Sequence, residues 1–255
     1  MRRTPSPYTS TISFGPGPVS TAIKALIAAN VVLFLAQSVA PRTVSFDTDV
    51  LTAFLGLRAA DVLGHLYVWQ LATYMFLHAS VLHILFNMLG LWMFGAELER
   101  IWGTRYFLKY YFVTGIGAAI LTVVFSLLPF GFAEALRYSI VIGASGAIYG
   151  ILLAYGLHFP DRPIYMYLVF PIPAKYFVMI MGALAFYSSI NGGGGVASAT
   201  HLGGLVIGYL FLKGARIQPL SELKYRYTKW KLNRTRKRFD VYSGGRANDW
   251  NRRVH

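Results

Sequence analysis

Apolar residues fall along this chain in six long runs, at residues 21–39, 71–97, 106–128, 139–158, 165–190 and 199–212, with polar or turn-forming stretches between them. A helix rising about 1.5 Å per residue needs about 20 residues to cross a ~30 Å apolar layer. The pattern therefore predicts six membrane-spanning helices, the last extending to about residue 216. Residues 41–70 differ. There Asp47, Asp49, Arg58, Asp61 and His65 mix with apolar clusters, which predicts short amphipathic helices lying in the interface. Residues 159–163 (Phe-Pro-Asp-Arg-Pro) read as a turn. Residues 191–195, an Asn and four glycines, read as a flexible loop.

The flanks divide the chain. Residues 1–20 hold four prolines and little to bury, so a disordered N-terminus is expected. Residues 21–216 make the helical domain, and residues 217–255 a basic tail. The first apolar run lies behind the Pro-rich lead and lacks a cleavage pattern, so it reads as a span, not a removable signal.

Composition sharpens the picture. The chain is 55% hydrophobic and 13% charged, with a mean hydropathy of +0.48. Soluble domains carry about a quarter charged residues, so this is an integral membrane protein. With no cysteine there is no disulfide framework, thiolate metal site or cysteine nucleophile. The net charge of +14 is placed unevenly. Connections on the side of the termini hold Arg2, Arg3, Arg100, Arg105, Lys109, Arg162, Lys213, Arg216 and the tail; the other side holds Arg42, Arg58 and Arg137. Both termini are therefore expected in the cytoplasm. The basic tail reads as a retention signal that contacts anionic lipid, not as a nucleic-acid arm.

The fourth run carries Ile142-Gly-Ala-Ser-Gly-Ala-Ile-Tyr-Gly150. A serine there is either a packing residue or a nucleophile, and a nucleophile needs a base. His201 opens the sixth run. On the predicted topology the second, fourth and sixth runs all have their polar residues in the outer half. This puts His83, Asn87, Ser145 and His201 at similar depth, with Ser145 about six residues, or roughly 9 Å, into its helix. His83 and Asn87 share a face at i, i+4. Gly143, Gly146 and Gly150, and likewise His201, Gly204 and Gly208, fall at i, i+3, i+7. Two such stripes let the fourth and sixth helices approach closely. Tyr149, one turn below Ser145, is placed to stack on an imidazole. His78 sits near the interface. His78 and His83 are five apart with no carboxylate to complete a set, so no metal site is read. The soluble hydrolase elbow Gly-x-Ser-x-Gly is absent, because residue 147 is Ala.

At these residues the chain resembles the rhomboid family of intramembrane serine proteases. The matching elements are His78-x4-His83-x3-Asn87, Gly143-x-Ser145-Gly146 with Tyr149, and His201-x2-Gly204-x3-Gly208. The resemblance covers residues 21 to about 216. It implies an all-α membrane protein: a six-transmembrane-helix rhomboid-like bundle with an interfacial first loop. It further implies Ser145 as nucleophile, His201 as general base, and an oxyanion site of His83, Asn87 and the Ser145 backbone N–H. Glu99 matches a structural acidic residue at the inner end of the second helix. The expected substrates are membrane proteins with transmembrane helices, and the partners membrane lipids. No cofactor and no nucleic acid are expected, and the location would be a bacterial inner membrane. Two departures stand out: Trp69-Gln70 where many members have Trp-Arg, and Thr200 where Ala is frequent. The alternative reading is a catalytically silent rhomboid-like protein that binds membrane clients, against which both Ser145 and His201 are retained. A transporter would need polar residues through both leaflets, and the inner halves of these helices offer few.

Overall fold

The computed structural model describes residues 17–43, 48–129, 133–166, 170–190, 195–216 and 228–229. The readings of residues 1–16, the loop at 191–194 and most of the basic tail lie outside them. The chain divides into two units, Met1–Leu212 and Lys213–His255. The helical bundle is the first unit; of the second, residues 213–216 end a helix and 228–229 are helical.

Helix α1, Thr21–Val39, begins at Ser20, whose hydroxyl accepts from the Ile23 N–H at 3.1 Å. It matches the first predicted run. The next stretch is a set of short helices, as the mixed pattern predicts: α2 (Val50–Leu55), capped by Asp49, then α3 (Ala59–Gly64) and α4 (Gln70–Thr73). Gln70 is fully buried. Its Oε1 accepts from the Arg58 N–H at 3.1 Å and its Nε2 donates to the Phe54 carbonyl at 3.3 Å. An amide both donates and accepts, which suits this pair of backbone groups; a guanidinium has no acceptor.

The second predicted span starts later than expected. Residues 74–76 form a short 3-10 turn and the chain stays extended at Leu77. Helix α5 (Val81–Gly90) then begins at Ser80, whose hydroxyl accepts from the His83 N–H at 3.2 Å. It passes through a π-helical turn at Leu91–Gly95 into α6 (Ala96–Trp102). Gly103, with φ of 77°, allows the reversal into α7, Thr104–Phe125. Glu99 is buried and accepts from the Ser20 and Thr104 hydroxyls, the latter at 2.6 Å, which ties α1, α6 and α7 together.

After α8 (Ala133–Tyr138) the fourth run departs from expectation. Residues 139–144 are not helical; helix α9 runs only Ser145–His158, so Ser145 is its first residue, not one buried six residues in. Leu57 and Val141 exchange both backbone hydrogen bonds, at 2.9 and 2.8 Å. Ile140, Val141 and Ile142 are β-branched and favour this extended form. The fifth run also divides. Strands β1 (Pro163–Met166) and β2 (Phe170–Pro173) pair antiparallel, and α10 spans Ala174–Ile190. Helix α11 is Gly195–Arg216.

Among the described residues three helices, Thr21–Val39, Val81–Trp102 and Thr104–Phe125, are long and apolar enough to cross a membrane. Their outward faces expose Val32, Leu35, Leu82, Phe86 and Ile120. Such faces are costly in water and comfortable in lipid. Helix α9 is central: Ala147, Ile151 and Ala154 are fully buried.

Candidate active site

Ser145 stands where the extended segment turns into α9. Its position is fixed from three directions. Val141 is paired to Leu57, the Gly143 N–H donates to the Tyr74 carbonyl at 2.9 Å, and Ile148 closes the first helical turn on Ala144 at 3.1 Å. Gly143 has φ of 124°, which side-chain-bearing residues rarely adopt. A Cβ there would also lie 2.7 Å from His83 Nε2 and 3.6 Å from Ser145 Oγ. Glycine is required on both counts. The bare Cα lets His83 reach the neighbourhood of the serine hydroxyl. Gly143 therefore serves this approach, and the smooth stripe on α9 begins at Gly146.

Helix α11 lies against α9 closely enough that a Cβ on Gly204 would overlap the Gly146 carbonyl. One on Gly208 would sit 3.2 Å from the Gly150 Cα. That approach brings His201 to Ser145: Nε2 and Oγ are 2.7 Å apart. The Tyr149 ring stacks on the imidazole, with centroids 4.3 Å apart and planes 7° from parallel.

His83 Nδ1 accepts from the Ala79 N–H at 3.3 Å, which assigns the proton to Nε2. That N–H points toward Gly143, beside the serine. Asn87 is buried one turn on, and its Nδ2 donates to the His83 carbonyl at 2.8 Å, leaving one N–H for another acceptor. The first-turn amides of α9, including that of Ser145, have no intrahelical acceptors and carry the positive end of the helix dipole. Donors of this kind suit an oxygen that acquires negative charge.

His78 is outside this set. It lies before α5, its ring edge packs on His83 at 5.0 Å between centroids, and its backbone N–H donates to Gln37 Oε1 at 3.0 Å. It lines a cavity of about 390 Å³ with Gln37, Thr52 and Ile142. Tyr74 is a residue that the sequence reading misses. Its carbonyl holds Gly143 and its hydroxyl, which donates to the Gly115 carbonyl at 2.8 Å, packs against Gly146. A tyrosine inside an apolar run is the sequence signal that points to it.

Comparison with known proteins places residues 65–215 in the Rhomboid domain family. The chain is 31% identical over 167 residues to rhomboid protease GluP of Bacillus subtilis (strain 168), covering 65% of this chain and 29% of that protein. It is 33% identical over 141 residues to the mitochondrial rhomboid protein 1 of Saccharomyces cerevisiae, covering 53% of this chain and 38% of that one. It is 32% identical over 151 residues to rhomboid protease AarA of Providencia stuartii, covering 56% and 54%. The matches thus span between 29% and 54% of these relatives' lengths.

Proposed function

This chain belongs to the rhomboid family, and we propose that it is an intramembrane serine endopeptidase working through a Ser145–His201 dyad. The observation that carries the reading is the 2.7 Å contact between His201 Nε2 and Ser145 Oγ. In that geometry the serine O–H donates to the imidazole. As Oγ attacks a peptide carbonyl, its proton passes to Nε2. The carbonyl oxygen turns negative and takes hydrogen bonds from the His83 Nε2–H, the free Asn87 N–H and the Ser145 amide. The tetrahedral intermediate collapses, the C–N bond breaks, and His201 returns its proton to the leaving amine. Water then gives a proton to His201 and attacks the acyl carbon, releasing the carboxylate product and Ser145. Tyr149 takes over the orienting task that a carboxylate performs in a triad.

The substrates are membrane proteins, cut near the outer end of a transmembrane helix. A helix shields its peptide bonds, so cleavage needs local unwinding, which Gly and Pro make cheaper. A small residue before the cut is what the family resemblance implies. The proposed setting is a bacterial inner membrane, with residues 21–216 as a six-span protease domain and both termini cytoplasmic. Helix α9 with 14 residues is shorter than a full crossing, and the proposed fourth span includes the non-helical residues 139–144 before it.

The test is covalent labelling. A fluorophosphonate should modify the purified protein at Ser145, read by peptide mass spectrometry, and Ser145→Ala should abolish the adduct. An unlabelled wild type contradicts the reading.

A further inference from the structure

Thr200, the residue before His201, turns its methyl toward Gly146 of α9, where the imidazole also lies, and its hydroxyl toward α7. Its hydroxyl lies 2.9 Å from that of Thr122. Both side chains are buried, each about 1% exposed. The Thr122 hydroxyl is also 2.9 Å from the Ala118 carbonyl one turn back, so its rotamer is fixed from its own helix. Threonine is stiff at χ1, which makes such a tie a rigid one.

The surroundings show why a directional bond matters here. Helix α11 runs in a groove between α7 and α9 lined by small residues. A Cβ on Gly203 would sit 3.1 Å from the Ala118 Cα, and one on Gly117 would sit 2.7 Å from Ile207 Cγ2. Small residues set how close the helices come. A smooth surface resists sliding and rotation about the helix axis only weakly. The imidazole is displaced sideways by any such rotation. A hydrogen bond, by contrast, has a preferred direction as well as a distance. This one lies one residue from the base and ties α11 to α7, a helix that contributes nothing to the dyad itself.

We propose that Thr122 and Thr200 are a positioning pair: their hydroxyl–hydroxyl bond sets the rotation of α11 against α7 and so aims His201 at Ser145. The inference rests on the dyad reading above. It assigns a purpose to Thr200 at a position where the rhomboid pattern frequently has alanine. Neither hydroxyl touches substrate; both act through His201.

The test uses the purified full chain and the near-isosteric Thr122→Val and Thr200→Val, which remove the hydroxyl and keep the shape. Thr200→Val spares the Thr122 bond to Ala118. Small misplacements of a catalytic group are costly to rate. Each valine variant should lower kcat, and the rate of fluorophosphonate labelling at Ser145, by about tenfold, with KM and the thermal midpoint near wild type. Thr122→Ser and Thr200→Ser should restore most of the rate. The double valine variant should be no worse than either single one, because both remove the same bond. Wild-type kcat and labelling in the valine variants overturn the proposal. So do serine variants as impaired as the valine ones, or losses that track the unfolded fraction. A wild type that is itself unlabelled removes the dyad reading and this inference together; a labelled wild type with unaffected variants removes the inference alone.

Discussion

Tyr149 lies flat on His201, with ring centroids 4.3 Å apart and planes 7° from parallel. The two residues sit on different helices, α9 and α11, and the stack holds the imidazole broadside while leaving Nε2 on the serine. A flat aromatic face should be sufficient for this, whatever its para substituent. Tyr149→Phe is expected to retain kcat within about threefold, and Tyr149→Leu to lose about tenfold, since loss of aim is costly to rate. Steady-state kinetics on a reporter substrate check it; equal loss in both variants would move the function to the hydroxyl.

Gly143 should tolerate nothing larger. Its φ of 124° costs a side-chain-bearing residue about 1–3 kcal/mol, and an added methyl meets His83 Nε2 at 2.7 Å. Gly143→Ala is expected to abolish labelling of Ser145 while the helical content by circular dichroism persists. Normal labelling would show that the segment relaxes freely.

Gly204 and Gly64 make a matched pair. A Cβ on Gly204 overlaps the Gly146 carbonyl, whereas one on Gly64 meets nothing within 4 Å. Gly204→Ala should lower the thermal midpoint in detergent and abolish activity. Gly64→Ala, in the short helix α3, should be neutral or stabilising by up to about 1 kcal/mol. Thermal scans of both decide it, and equal midpoints would contradict the close α9–α11 approach.

Much of this candidate site was legible in the chain, because the chemistry proposed for it calls for residue types that are conspicuous in apolar runs. His83, Asn87, Ser145 and His201 stood out as polar groups in lipid-like sequence. Gly146, Gly150, Gly204 and Gly208 kept helical spacing on the helices that meet. What stayed hidden was where helices begin. Residues 140–144 are apolar, and an apolar run reads the same whether it is helix or strand. Pro163, Pro171 and Pro173 lie in the two paired strands, and the apolar residues between them merged with the run that became α10. Ser80, the N-cap of α5, separates His78 from the helix of His83, whereas the sequence reading ran one span through both. The Thr122–Thr200 bond joins residues 78 apart in sequence, and no local pattern reports such a contact.

The proposed oxyanion donors should differ in weight. His83 has its Nε2–H free and aimed beside the serine, whereas Asn87 already commits one N–H to the His83 carbonyl. Removing one such donor typically costs about 10²- to 10³-fold in kcat. His83→Ala is expected in that range with little change in KM, and Asn87→Ala nearer its lower end. A rise in KM at constant kcat would assign these groups to substrate binding instead.

The most direct measurement is cleavage of a single-span reporter by the purified protein in liposomes. The reporter carries a small residue and a Gly or Pro near its extracytoplasmic boundary. Wild type should yield two fragments cut near that boundary. Ser145→Ala, His201→Ala and the double variant should all be inactive to the same degree, since members of a catalytic unit are not additive. Fragments released by Ser145→Ala at the wild-type rate would contradict the proposed dyad.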